Sequence, residues 1–466
     1  MNQYRTQLDE YIDAHQRELV DALGRLVAKA SPKGEAKPGM PFGEGPDAAM
    51  KESLKVAEEW GLQTRNYDGY VGLADLNDQP DQLHILAHMD VVAAGSGWDT
   101  DPYEMAEQDG MLYGRGVADD KGPALSAMLA MRAVKELNIP LSKNAKLLLG
   151  TDEESGSSDI AYYYAREPYA PNSISPDAEF PVINIEKGHY HPVFTRSWAE
   201  EASLPRVAKL TGGIRLNVVP PEASAVVLGL DAGLVQDMVD FENGTGVTFA
   251  VTDVEGGVQI DAHGKNAHAS TPDEGRNAIT ALLDRLDRLP LANCESTRAV
   301  KSLHTLFPHG DNAGRALGIA QSDPESGALT LTFSLFELDE KGCTGQFDAR
   351  INLTGNEENC KNTAERAFAA HGFQAEGGMG PAHVVPADDP FIRTLLDCYT
   401  EHTGREGKCL AIGGGTYVHD IPGGVAYGAN ELDFDCRMHG ANERVTIESL
   451  VTCAKIYADV IVRVCG

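Results

Sequence analysis

Three short stretches between residues 86 and 156 constrain this chain more than anything else in it: LAHMDVV at 86–92, GVADDKGP at 116–123 and LLLGTDEESG at 147–156. In the first, an apolar run delivers His88 and Asp90 one residue apart, and a two-residue step along an extended chain points both side chains the same way. A divalent cation takes such nitrogen and oxygen donors. The carboxylate can alternatively stand behind a ligating imidazole and orient it through its other ring N–H. In the other two stretches the neighbours Asp119–Asp120 and Glu153–Glu154 set like charges side by side where an apolar run or a glycine turn ends. Adjacent carboxylates raise one another's pKa unless a cation offsets the repulsion. One acid pair alone reads as a solvated loop. Three such stretches in succession, each after a strand-like run, point to a site for a pair of divalent metals and hence to a metallohydrolase.

The spacing around them predicts an α/β layer. Leu8, Tyr11, Ile12, Leu19, Val20, Leu23 and Val27 recur at helical spacing, a second helix is expected near 46–61, and strands near 70–76 and 82–88. GVADDKGPALSAMLAMRAVKEL reads as a loop and then a helix, with Pro123 in its first turn and Leu125, Met128, Leu129 and Ala133 on its apolar face. KLLLG is a strand with Glu153 and Glu154 on its exit loop. Open α/β sheets place their chemistry beyond the carboxyl ends of strands, so the three stretches predict one cleft.

At about 186–190 the texture changes to alternating strands: ASAVVLGL, VTFAVTDV, VQIDAHGK, ALTLTFSLFEL and QFDARINL. One helix interrupts them clearly, in STPDEGRNAITALLDRLDRL, where Thr271 and Glu274 stand in capping-box register. The expectation is a discontinuous catalytic domain, 1–187 and 382–466, with a mixed, mostly parallel sheet flanked by helices, and an inserted α+β lid domain at 188–381. A closing helix is expected from about 443 to 464. Length favours two domains as well, since 466 residues exceed one ordinary core.

With 70 acidic against 39 basic residues the formal net charge is −31, which disfavours nucleic acid and anionic membranes. There is no signal peptide and no long uncharged run, so the expectation is a soluble, cytoplasmic protein. Eight cysteines all follow residue 290 and none forms C-x-x-C, which suits structural thiols rather than a disulfide frame.

Asp177 in SPDAEFP and His439 in RMHGANE are further candidate ligands, each weak alone. Arg350 offers a planar fork for a terminal carboxylate, or else an ordinary salt bridge with a neighbour such as Asp348. GGGTYVHD at 413–420 lacks a following G-K-[ST], so backbone amides there, at Gly414 and Gly415, suit a substrate carboxylate better than a nucleotide phosphate. His263 reads as a strand residue on the lid surface.

HMD, GRGVADDKGP, GTDEESG, SPDAEFP, GGGTYVHD and MHGANE, together with GGIRLNVVP, GKNAHAS and FDAR in the insertion, resemble the aminoacylase and glutamate carboxypeptidase family of dinuclear metallopeptidases, and most of all its peptidase V-type dipeptidases. The resemblance covers nearly the whole chain. It implies one metal on His88 and Asp177, a second on Glu154 and His439, and Asp119 bridging both. Glu153 would be the general base and Asp90 would brace the His88 ring, while Asn217, His268 and Arg350 would come from the lid to the substrate. The enlarged lid implies a monomer and closure over a small peptide. Two departures, Ala93 for a common proline and Ala269 for a common glycine, bear on loop shape.

These roles are also physically coherent. A non-ligating glutamate beside two dications can take a proton from water and return it to a leaving amine, and His268 can stabilise an oxyanion. Zinc leads the candidate metals, with manganese or cobalt also suited to mixed nitrogen and oxygen donors. The expected activity is metal-dependent cleavage of the amide bond of dipeptides. The alternatives are an N-acyl amino acid deacylase on the same framework and a metal-binding relative without catalysis.

Overall fold

The computed structural model describes residues 3–466. The chain divides into two compact units, each with its own apolar core. The first comprises the residues up to Ile185 with His383–Leu410 and Gly415–Gly466, and the second Glu186–Ala382 with Ala411–Gly414.

The centre of the first unit's sheet is parallel. Asn144–Gly150, Asp81–His88, Asn172–Ser175 and Gly424–Ala426 lie side by side in that order. Gln63–Tyr67 and Val71–Asp75 extend one edge antiparallel, and Val182–Glu186 lies antiparallel to Gly424–Ala426. Strands covered on both faces need nearly continuous apolar sequence, and Leu83, Ile85, Leu147 and Leu149 are fully buried. Register then decides where the chemistry falls. His88 pairs with Gly150 and Ser175 with Ala426, so the exits of three strands, leading to Asp90, to Glu153–Glu154 and to Asp177, emerge at one end of the sheet.

Helix Lys121–Glu136 starts directly after Asp119–Asp120 and buries nearly all its residues, its alanines allowing close approach by helix Ile447–Cys465. The closing helix is capped by Thr446, whose side chain accepts from the Ser449 N–H. The single amino-terminal helix expected from spacing is two, Arg5–Ala14 and Gln16–Val27. They break at His15, whose ring stacks on Tyr11. Among the described residues no helix is long and apolar enough to cross a membrane. All eight cysteines are free thiols.

The second unit is a ten-stranded sheet. Glu222–Leu228 and Gly257–His263 alternate buried and less buried residues, as expected for a sheet with one face on a core. Phe194, Phe307, Phe333, Phe347 and Phe368 fill that core with ring centroids as close as 4.5 Å. Four α-helices accompany the sheet, the expected one and three with a weaker pattern: Ala232–Asp240, Ala278–Arg288, Glu295–Leu306 and Lys361–Ala370. One expectation needs correction here, because the capping box at Thr271 is not formed. Pro272–Glu274 is an isolated 3-10 turn, and the following helix is capped by Asn277, whose side chain accepts from the Thr280 N–H at 3.2 Å.

Candidate metal centre and substrate groups

His88, Asp90, Asp119, Glu153, Glu154, Asp177 and His439 all lie in the first unit. The His88 Nδ1 sits 2.9 Å from the Asp90 carbonyl. A carbonyl only accepts, so Nδ1 carries the proton and Nε2 turns to the acids, 2.9 Å from Asp119 Oδ1 and 3.7 Å from Asp177 Oδ2. The other oxygen of Asp119 is 2.9 Å from Nε2 of His439, which also lies 3.3 Å from Glu154 Oε2. Two trios, His88–Glu153–Asp177 and His88–Asp119–Glu154, bring their ligand atoms within 4.8 Å of one another.

Asp90 stands beside the His88 ring and has a second task as well. Its carbonyl holds the imidazole, its Oδ1 lies 3.5 Å from the same ring nitrogen and accepts from the Glu153 N–H at 3.2 Å, and its Oδ2 accepts from the Glu154 N–H at 3.1 Å. One residue thus sets both the His88 ring and the turn bearing the two glutamates. That turn is fixed from behind as well. Asp159, buried, accepts from the Thr151 and Asp152 N–H groups and from the Tyr417 hydroxyl. Gly150 is required there, because a Cβ would fall 1.9 Å from the Tyr417 oxygen.

The donor set fits divalent cations. Tetrahedral ligands on bonds of about 2.0–2.2 Å stand roughly 3.3–3.6 Å apart, and the four imidazole–carboxylate distances, 2.9, 3.7, 2.9 and 3.3 Å, bracket that spacing. Both Nε2 atoms face acceptors, so either a proton or a metal must lie between. For protons alone the electrostatics is extreme. Burial opposes a charged His439, yet hydrogen bonds to Asp119 and Glu154 outweigh it and push the ring up to about 11. Burial, reinforced by Glu154, Asp90 and Asp119, drives Glu153 well above the carboxylate range, and burial with Asp119 does the same to Asp177. Cations would relieve this crowding of acids.

A buried ion pair that motif reading missed joins two of these residues. Arg115 Nη1 donates to Glu443 Oε2 at 2.6 Å, and Arg115 Nη2 donates to the carbonyls of His439 and Gly440. Glu443 Oε1 accepts from the N–H groups of Gly116, Ala118 and Asp119. His439 adopts φ 60°, a left-handed conformation that costs a non-glycine residue energy and is held here by the Arg115 clamp on its carbonyl. The sequence signal was faint, only that Arg115 precedes GVADD and Glu443 ends HGANE.

Asn217, His268 and Arg350 are in the second unit, with Gly414, whereas Gly415 groups with the first. Asn217 ends a turn next to the antiparallel bridge between Val218 and His268, and the Ala269 N–H donates to the Asn217 carbonyl at 2.9 Å. The Ser270 N–H donates to His268 Nδ1 at 3.3 Å and the Ser270 Oγ lies 2.6 Å from it. A backbone N–H only donates, so Nδ1 accepts and the ring proton resides on Nε2. Arg350 does form the salt bridge with Asp348, Nε to Oδ1 at 2.7 Å and Nη2 to Oδ2 at 2.8 Å. Its Nη1 donates to the Gly413 carbonyl at 2.8 Å. Gly413 must be glycine, since a Cβ would come within 2.6 Å of Ser270. His263 is exposed at the end of its strand.

A parallel-centred sheet with imidazoles and carboxylates gathered at its strand exits defines a metallopeptidase-type hydrolase. The chain belongs to peptidase family M20/M25/M40, whose family model matches residues 84–463. It is 33% identical over 466 residues to the Beta-Ala-Xaa dipeptidase of Lactobacillus delbrueckii subsp. lactis, covering 97% of each chain. Among solved structures, human carnosine dipeptidase 1 superposes with a TM-score of 0.60 at 17% identity, covering 100% of this chain and 99% of that one. Aminopeptidase PepT from Bacillus cereus ATCC 10987 gives 0.58 at 17%, covering 97% and 99%. These two likenesses speak for the fold.

Proposed function

We propose that this chain is a dinuclear metallo-dipeptidase that hydrolyses the amide bond of unblocked dipeptides. The observation that carries the reading is Asp119, whose two oxygens each lie 2.9 Å from a different imidazole, His88 and His439. A carboxylate so placed between two nitrogen donors suits a bridge, with Asp177 completing one position and Glu154 the other. Zinc is the metal of first choice, with manganese and cobalt compatible. The bound ions would supply Lewis acidity toward water and toward the scissile carbonyl.

The chain's own groups do the rest. Glu153, on the turn held by Asp90, takes the proton of the attacking water and passes it to the leaving amine. His268, with its proton on Nε2, donates to the developing oxyanion, and Asn217 adds a polar contact to the substrate. Arg350 and the amides of Gly414 and Gly415 receive the substrate's terminal carboxylate. The extensive identity with a Beta-Ala-Xaa dipeptidase supports the dipeptide class. The protein would act as a soluble cytoplasmic monomer.

The test is a panel of unblocked dipeptides against N-acetyl and N-succinyl amino acids, run with metal-replete protein. Turnover confined to the dipeptides is expected. Preference for the acylated series would assign a deacylase, and no turnover of either would leave only metal binding.

A further inference from the structure

The surroundings of Arg350 hold more order than a salt bridge requires. Strand Gly342–Ile351 lies between Thr330–Leu338 and Gly188–Tyr190, with Arg350 opposite Thr330 on one side and His189 on the other. Alternation sends Phe347, Ala349 and Ile351 into the phenylalanine core and places Asp348 and Arg350 on the other face. There Asp348, fully buried, takes both Nε and Nη2 of Arg350, and its Oδ1 also lies 3.1 Å from His191 Nε2. Burial alone would raise this carboxyl, but the His191 and Arg350 hydrogen bonds outweigh it and hold it below its ordinary value. The Gly413 carbonyl fixes Nη1.

With Nε engaged and one N–H used on each terminal nitrogen, one N–H remains on Nη1 and one on Nη2. The hydroxyl of Thr330, directly opposite, is buried without a hydrogen-bond partner. Three donors thus gather on one sheet face with no acceptor of their own. A fixed guanidinium with its side edge occupied and spare donors on its terminal nitrogens is matched by an incoming planar anion.

We propose that Asp348 and His191 are positioning residues that lock the Arg350 guanidinium for the terminal carboxylate of the substrate, and so set the preference for a free carboxylate over a blocked one. This rests on the dipeptidase reading, in which Arg350 receives that carboxylate. A guanidinium held by three bonds loses little side-chain freedom on binding, whereas one released from Asp348 must be ordered at that moment. The salt bridge and the substrate fork, alternatives on sequence grounds, become parts of one device.

The experiment compares kcat/KM for one dipeptide with a free carboxyl terminus and for the same dipeptide as its amide, in wild type, Arg350→Ala, Asp348→Asn, His191→Gln and the Asp348→Asn/Arg350→Ala double variant. Wild type should favour the carboxylate and Arg350→Ala should erase that preference. Asp348→Asn should reduce it about tenfold, chiefly through KM, with nothing further lost on the Arg350→Ala background. His191→Gln, which leaves the carboxylate in place should Asp348→Asn fold poorly, should reduce it by a smaller factor. The positioning role is overturned if Asp348→Asn and His191→Gln lower both substrates in parallel or keep the wild-type preference. A wild type indifferent to the blocked terminus, or a preference surviving Arg350→Ala, overturns the carboxylate reading beneath it.

Discussion

Arg115 and Glu443, 328 residues apart in sequence, meet at 2.6 Å in the interior of the first unit, and between them they hold the backbone beside two candidate metal ligands. Glu443 gathers the N–H groups leading into Asp119, and Arg115 clamps the carbonyls of His439 and Gly440. Removing one partner of a buried pair leaves an uncompensated charge, at a cost of about 3–5 kcal/mol. Arg115→Met should therefore lower the unfolding midpoint and weaken metal binding together. A double change to Arg115→Met/Glu443→Leu should regain stability but not metal affinity, because the backbone clamps stay lost. Calorimetric unfolding and metal titration of the same samples check this. Full metal affinity in the double variant would contradict it.

Glu153 and Glu154 are adjacent but turned to different partners, Glu154 to His439 and to the Val92 N–H. Glu153→Gln should cut turnover at least ~10²-fold while metal content stays nearly unchanged. Glu154→Gln should instead lower metal occupancy. Equal metal loss in the two variants would show that the neighbours share one task.

His268→Ala should lower turnover about 10²-fold with metal content intact, the scale of an oxyanion donor. Ser270→Ala should cost less, because the Ser270 backbone N–H still fixes the tautomer. Wild-type turnover in His268→Ala would remove that residue from the chemistry.

Much of this site was legible because metal-ligating residue types at strand exits are local patterns. HMD and GTDEES each place their acids within a few residues of an apolar run, and parallel pairing does the assembly. What escaped depends on pairings remote in sequence. Arg115 with Glu443 and His191 with Asp348 have no local signature, and both carboxylates are fully buried. In the second unit, alternation made the strands plain. Short helices such as Ala232–Asp240 and Lys361–Ala370, with two buried residues each, leave only a weak periodic trace. The capping box failed because Gly275 and Arg276 interrupt what spacing alone joins, and Asn277 offers a better cap.

Away from the site, Asp459 joins the closing helix to helix Pro390–Thr403. Burial would raise its carboxyl, but hydrogen bonds from His402 and Arg463 outweigh it and bring it down to about 2. A folded-state value below the unfolded one, near 3.9, means the stabilisation is present above about pH 4 and is lost as pH falls through about 2. Allowing for solvent screening it amounts to about 1–2 kcal/mol. The stability gap between wild type and Asp459→Asn should therefore narrow between about pH 4 and pH 2, measured by denaturant unfolding at each pH. A gap independent of pH would assign Asp459 to packing alone.

The most direct test of the account is a metal titration of chelator-stripped protein, following bound metal per chain and dipeptide turnover in the same samples. Asp119 placed between two imidazoles predicts that turnover reaches its plateau at two equivalents of zinc or manganese and that Asp119→Asn weakens both binding steps. Full turnover in the stripped protein, or a plateau at a single equivalent with Asp119→Asn disturbing one step only, would contradict it.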